Sequence, residues 1–226
     1  MPPRSKRPPA RRGNAVLWDL DGTLVDSAEF HWFSWRDTMA AEGRPISYQE
    51  FLDSFGQKND RILALWLGAD VSGDRVRRIG DAKEAEYRRL AETHGLTALP
   101  GAVDWIHRLH RDGWKQAIAS SAPRENVAVM LRALRVDHDF DAIVSAEDVT
   151  AGKPDPQVFL KAAAKLQLDP DHCIVVEDAA VGVEAARRAG MKSIGVSRTE
   201  PLDATIAVRS LADLPDDAFA KLLNQG

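Results

Sequence analysis

Residues 15–27 read AVLWDLDGTLVDS, and the reading of this stretch decides the fold. Ala15 to Trp18 form an uninterrupted apolar run, which reads as a strand buried on both faces, the habit of parallel sheets in α/β proteins. The run delivers Asp19 and Asp21, with only Leu20 between them and Gly22 just after. In an open parallel sheet, ligands bind in the crevice outside the carboxyl ends of the strands. Two carboxylates at such an end are therefore candidates for chemistry, with turn formation by Asp21-Gly22 as the plainer alternative.

From residue 96 onward, short apolar runs alternate with longer amphipathic segments, as expected of repeated βα units. Strands are expected at Lys115–Ala119, Ala142–Val144, Cys173–Val176, Ser193–Val196 and Thr205–Val208. Helices are expected at Ala102–Arg111, Glu125–Leu134, Gln157–Leu166 and Val181–Ala189. Asp155-Pro156 opens the third of these helices as an N-cap acid and a first-turn proline, and Gly190 closes the fourth. Residues 28–95 break the rhythm. They show no strand run, and AEFHWFSWRDTMAAEG, NDRILALWLG and DRVRRIGDAKEAEYRRLAETHG read as three helices ended by glycines. The expected fold is α/β: a Rossmann-like doubly wound parallel sheet from residues 14–27 and 96–226, with an all-helical cap at 28–95.

Composition agrees with one large domain carrying an insertion: 226 residues, 44% hydrophobic and 28% charged. No stretch approaches the roughly 18 apolar residues of a membrane span, and the N-terminus lacks the apolar segment of a secretory signal. The single cysteine, Cys173, permits no internal disulfide and reads as a small buried hydrophobe in CIVV, so a reducing cytoplasm is the expected location. The net charge is −4, yet residues 1–13 carry five cations and no acid, which leaves −9 on the remainder. A tail rich in proline and arginine is expected to be disordered, and the acidic body argues against a nucleic-acid partner. Nothing demands more than a monomer.

The residues that follow each strand form an informative set: Asp19 and Asp21 after the first, Ser120 after KQAIA, Lys153 in TAGKPDP, and Glu177 and Asp178 after CIVV. Four converging carboxylates would raise one another's pKa unless a cation neutralised them. Oxygen ligands favour a hard divalent ion, and Mg²⁺ fits by its pairing with phosphates. A carboxylate beside such an ion is a competent nucleophile toward phosphorus, and a second acid two residues on can protonate the leaving oxygen and then activate water. A serine hydroxyl and a lysine ammonium would hold the other phosphoryl oxygens. Taken singly, each residue also has a structural reading as a turn, a helix cap or a surface lysine. Together, five positions each supply a group that the same reaction needs.

DLDGT, IASS, GKPDP and VVEDAAVG, in this order, resemble the four motifs of the haloacid dehalogenase superfamily. The resemblance covers the chain from residue 14 on. The insertion after DLDGT resembles the small helical cap of the branch containing β-phosphoglucomutase, phosphoglycolate phosphatase and sugar-phosphate phosphatases. The resemblance implies Asp19 as nucleophile, Asp21 as general acid and base, and Ser120 and Lys153 on phosphate. It also implies Mg²⁺ held by the carboxylates of Asp19 and Asp178 and the backbone carbonyl of Asp21. Glu177 is then either a metal ligand or a neighbour of the ligands. Dehalogenating members carry an aromatic residue where Asp21 stands, so Asp21 argues for phosphoryl transfer from a small phosphomonoester.

His31 and Trp35 match cap positions near the substrate in β-phosphoglucomutase and several sugar phosphatases, and the i to i+4 spacing puts both on one helix face. Lys83 matches a mutase cap lysine, with a solvated surface lysine as the alternative. A mutase must hold a second phosphate. Where β-phosphoglucomutase supplies an arginine and a Ser-Lys pair, this chain has Asn59 in GQKNDR and Ala122-Pro123, with Lys58, Arg61 or Arg124 left to compensate. This favours a phosphatase over a mutase. Two readings from other classes are weaker: a phosphate-accepting signalling receiver lacks the second acid and the cap, and a silent phospho-ligand-binding member would have lost Asp19 or Asp21.

Overall fold

The computed structural model describes residues 13–224; the expectation of a disordered tail concerns residues 1–12, outside this range. The elements run β1 (Ala15–Trp18), β2 (Val25–Asp26), α1 (Ala28–Ala41), α2 (Tyr48–Ser54), α3 (Asn59–Leu67), α4 (Gly73–His94), β3 (Thr97–Ala98) and α5 (Ala102–Arg111). There follow β4 (Lys115–Ala119), α6 (Arg124–Leu134), β5 (Ala142–Val144), α7 (Gln157–Leu166), β6 (Cys173–Glu177), α8 (Ala180–Arg188), β7 (Lys192–Val196), β8 (Ile206–Val208) and α9 (Ala218–Asn224). Six strands form one parallel sheet in the order β5-β4-β1-β6-β7-β8, with β1 at its centre.

The apolar run of β1 is buried along its whole length because both faces of the sheet are covered. Val16 and Trp18 point into a cluster with Trp105 and Ile106 of α5, Met130 of α6 and Phe219 of α9. Ala15 and Leu17 point the other way, toward Phe159 and Ala162 of α7 and Ala185 of α8. The one-residue alternation along the strand thus builds both layers of a doubly wound core. Cys173 belongs to the second cluster, and burial pushes its thiol up to about 12, so it packs as a hydrophobe.

The helical insertion leaves and rejoins the sheet through a two-strand antiparallel ribbon, with Val25 opposite Ala98 and Asp26 opposite Thr97. It holds four helices rather than the three expected. The additional one, α2, has only seven residues, too short for a periodic signal, but Ser47 and Glu50 close a reciprocal capping box at its start. Trp35, Met39, Phe51, Ile62, Leu63, Trp66 and Ile79 give the cap an apolar core of its own. A smaller correction falls at α7: Pro156 is itself the N-cap rather than the first helical residue, and the Asp155 carboxylate accepts the Gln157 N–H at 2.9 Å. No described helix is long and apolar enough to cross a membrane.

Candidate active site

The crevice forms where β1, β4 and β6 end side by side. The Asp19 N–H donates to the Val176 carbonyl at 2.9 Å, which continues the β1–β6 ladder one residue beyond the strand and fixes the first acid at the crevice floor. Leu20, fully buried, turns back into the core, so Asp19 and Asp21 both face outward. Gly22 then takes a positive φ of 81°, and a Cβ there would lie 2.1 Å from the Asp178 carboxylate. Only glycine permits that approach. Thr23 ties the two acids together, its hydroxyl 3.4 Å from Asp19 Oδ2 and 3.3 Å from Asp178 Oδ1.

Asp19, Glu177 and Asp178 each present an oxygen within 4.8 Å of the others. Lys153, with its side chain 7% exposed, reaches into this group, donating to Asp19 Oδ1 at 2.5 Å and to Glu177 Oε1. The remaining Glu177 oxygen accepts the Ala179 N–H at 2.9 Å. This carboxylate lies flat against α8, where a Cβ on Gly182 would fall 1.9 Å from its carboxyl carbon. Three carboxylates against one ammonium leave two negative charges in a buried place. Burial and the neighbouring acids raise Asp19 well above its usual range despite Lys153, and burial together with Glu177 pushes Asp178 up to about 7. Burial alone would lower Lys153, but the two carboxylates outweigh it and keep the ammonium charged. A site with this donor set and this charge deficit is matched to a hard divalent cation.

Asp21 stands beside this group and uses different partners. Its Oδ1 accepts from the Ser27 hydroxyl at 2.5 Å and meets His31 Nε2 at 3.0 Å. Burial works to raise its pKa, but His31, the Ser27 hydrogen bond and the more distant Lys83 charge hold it below the usual carboxylate value. The other ring nitrogen, His31 Nδ1, meets Lys83 Nζ at 2.8 Å, and Tyr87 stacks on the ring at 4.2 Å between centroids. Lys83 is 2% exposed, lies 2.9 Å from Glu84 Oε1 and sits below the Trp35 ring, so the solvated reading of this lysine fails.

Asp19, Asp21, His31, Lys83, Glu84, Lys153, Glu177 and Asp178 line one cavity of about 310 Å³ between cap and sheet edge, along with Trp35, Phe51, Phe55, Lys58 and Asn59 from the cap and Ser120 from the core. The residues given a catalytic, phosphate, metal or cap role from the sequence all reach it, namely Asp19, Asp21, Ser120, Lys153, Glu177, Asp178, His31, Trp35 and Lys83, whereas Arg61 and Arg124 do not. Ser120 also stabilises its own turn, its Oγ accepting the Ala122 N–H at 3.0 Å. Trp35 divides its surface between the cavity and an edge-to-face contact with Trp66 at 5.1 Å. Sequence reasoning missed Thr23, Ser27, Glu84 and Gly182. Thr23 and Ser27 stand within the opening motif, and Gly182 stands in VVEDAAVG, so position alone flagged those three; nothing flagged Glu84.

Known proteins resemble this chain in sequence and in fold. A family model described as haloacid dehalogenase-like hydrolase matches residues 14–190. The β-phosphoglucomutase of Bacillus subtilis is 32% identical over 215 residues, covering 88% of this chain and 91% of that protein. Hexitol phosphatase B of Escherichia coli is 33% identical over 189 residues, covering 82% and 84%. The crystal structure of β-phosphoglucomutase from Clostridium difficile superposes with a TM-score of 0.84 at 27% identity, covering 94% of this chain and 97% of that one.

Proposed function

The chain belongs to the haloacid dehalogenase-like hydrolase family, and from that premise we propose that it is a Mg²⁺-dependent phosphomonoester hydrolase acting on a small phosphorylated metabolite, a sugar phosphate by preference. The observation that carries this reading is the convergence of Asp19, Asp178, Glu177, Lys153, Ser120 and Asp21 on one cavity. Asp19 attacks phosphorus to give an aspartyl phosphate. The negative charge of the bound phosphate opposes the influences that hold Asp21 low in the free protein, so Asp21 carries a proton in the complex. Asp21 gives this proton to the leaving oxygen and then takes one from the water that hydrolyses the acyl phosphate. Lys153 and the Ser120 hydroxyl hold the transferring group's oxygens. Asp19, Asp178 and the Asp21 carbonyl are the groups that would hold Mg²⁺, which when bound offsets charge developing on the phosphoryl oxygens. Glu177 is already engaged by Lys153 and the Ala179 N–H, which supports a role in aiming Lys153 rather than in ligation.

Hydrolysis is preferred over phosphate transfer between two positions of a sugar because the second-phosphate residues are diverted. Asn59 donates to Glu84 at 2.7 Å. Arg124 pairs with Asp148 at 2.5 Å, and Arg61 is exposed and does not line the cavity. Lys58 does line the cavity, with Nζ 3.4 Å from the Val149 carbonyl. The resemblance to a β-phosphoglucomutase keeps that activity as the second reading. The test is Mg²⁺-dependent phosphate release over a phosphomonoester panel, with Asp19→Asn beside the wild type. Release that depends on Asp19 is expected. Equal release by both proteins rejects the nucleophile, and conversion of β-glucose 1-phosphate to the 6-phosphate, dependent on a bisphosphate primer, rejects hydrolysis as the main activity.

A further inference from the structure

Glu84 is a buried carboxylate, 6% exposed, that joins three helices and makes no contact with the acids of the crevice. Its Oε1 accepts from Lys83 Nζ at 2.9 Å and from Asn59 Nδ2 of α3 at 2.7 Å. Its Oε2 accepts from Asn126 Nδ2 of α6 at 2.5 Å. Asn126 is fully buried, and its own carbonyl accepts from Arg88 Nη1 at 3.0 Å, one turn further along α4. Glu84 and Arg88 thus grip one core side chain from both sides. That side chain stands in the first turn of α6, the helix that follows Ser120 and its turn. A buried glutamate with these partners costs more to desolvate than a helix–helix contact requires, because apolar residues of similar volume serve packing at least as well.

The arrangement has a chemical consequence along a continuous line of contacts. Lys83 is 2% exposed, and Glu84 is the carboxylate that pairs with its buried ammonium. An ammonium has donors only, so at 2.8 Å it forces His31 Nδ1 to accept. The ring proton then lies on Nε2, aimed at Asp21 Oδ1 at 3.0 Å. We propose that Glu84 is a positioning residue for Asp21: through Lys83 it fixes the His31 tautomer that orients the acid, and through Asn126 it completes this relay only where the cap is seated on the core beside the phosphate-binding serine. The inference rests on the assignment of Asp21 as general acid and base.

The test compares Glu84→Gln, Glu84→Asp, Lys83→Met and the Glu84→Gln/Lys83→Met pair in the full chain, with p-nitrophenyl phosphate and Mg²⁺. In E84Q, kcat is expected to fall about 10²-fold while KM moves less. E84D, which keeps the charge, is expected to recover part of that loss. In the K83M background, E84Q is expected to add no more than about twofold, because the two act as one unit. Wild-type kcat in E84Q, or losses that multiply in the double variant, overturns the proposal. Long-range ¹H–¹⁵N correlations of the His31 ring give a readout independent of turnover: the Nε2–H tautomer in the wild type and a mixture in E84Q, or in K83M should E84Q fail to fold. An unchanged tautomer overturns the proposal. A wild type that hydrolyses no phosphomonoester defeats the assignment of function instead, and the tautomer then decides the Glu84 inference alone.

Discussion

The two halves of the cavity are built by different means. On the core side, Asp19, Ser120 and Asp178 follow the neighbouring strands β1, β4 and β6 of one parallel sheet, so backbone ladders bring them to one crevice whatever their side chains do. On the cap side, His31, Lys83 and Glu84 sit on helix faces, and one another's side chains hold them. Sheet topology yields positions that do not depend on any one member's side chain. A side-chain relay yields one in which each member depends on the next.

The largest expected effect belongs to the core side. Asp19→Asn should lower kcat by more than about 10⁴-fold, the scale seen when a nucleophile is removed. Its melting transition should stay or rise, because the substitution removes a buried charge whose pKa burial already raises. Asp21→Asn should cost about 10²- to 10⁴-fold, the span of general acid–base catalysis. Steady-state kinetics beside calorimetry checks both. A loss of folding in either variant would break the contrast between a backbone-built and a side-chain-built half.

Gly182→Ala sharpens the comparison by opposing two effects. Within a helix, Gly→Ala ordinarily stabilises by about 0.5–1 kcal/mol. Here the new Cβ would fall 1.9 Å from the Glu177 carboxyl carbon, so the carboxylate must leave its place and release Lys153. Activity is expected to fall about 10²-fold, the scale of an ångström misplacement. Activity kept at the wild-type level would show that Glu177 does not aim Lys153.

The same contrast explains what the sequence reveals. The Asp19, Asp21, Lys153 and Asp178 positions were legible because apolar runs end visibly and a parallel sheet gathers its strand ends. The two layers of the core followed from the same runs. Helix α2 was not legible, being shorter than two full turns beyond its cap, although Ser47 and Glu50 mark its start. Glu84 and Asn126 were not legible because a contact between residues 42 positions apart, on helices of different layers, leaves no periodic trace. On α4, Glu84 looks like any other charge until Gly80, Lys83 and Tyr87 are seen to share its buried face.

Smaller effects should appear in the pH dependence of stability, with opposite signs in the crevice and outside it. Asp178 has its folded pKa raised to about 7 from an ordinary 3.8, so its stabilising proton is fully bound below 3.8 and lost as pH rises through about 7. Glu50 in the cap and Glu184 in the core are held at about 2, by the Ser47 N–H and Arg44 and by Arg187 and Arg188 respectively. Their contribution is present above an ordinary 4.5 and lost as pH falls toward about 2. Metal-free protein should therefore melt highest at mildly acidic pH, on a curve that declines on both sides. Mg²⁺ should remove the decline on the neutral side and leave the acid side alone. A metal-free curve that only rises toward neutrality would contradict the charge deficit in the crevice.

The smallest effect tests whether the cap tolerates defects that the core does not. Trp66 is 7% exposed, and its indole N–H has no partner among the described residues. A buried unpaired donor costs about 1–3 kcal/mol. Trp66→Phe removes that donor and keeps an aromatic ring against Trp35, at the expense of some lost volume in the cap core. The two terms nearly cancel, so the melting transition should move little, by the equivalent of about 1 kcal/mol or less. The comparable change in the core is Trp18→Phe, where the indole N–H donates to Gln116 Oε1 at 3.0 Å in a fully buried place. There the substitution strands an acceptor and creates a void together, and the loss should be plainly larger. Equal losses at the two tryptophans would mean that an unpaired donor and a paired one are worth the same here, and that the cap core is packed as tightly as the sheet.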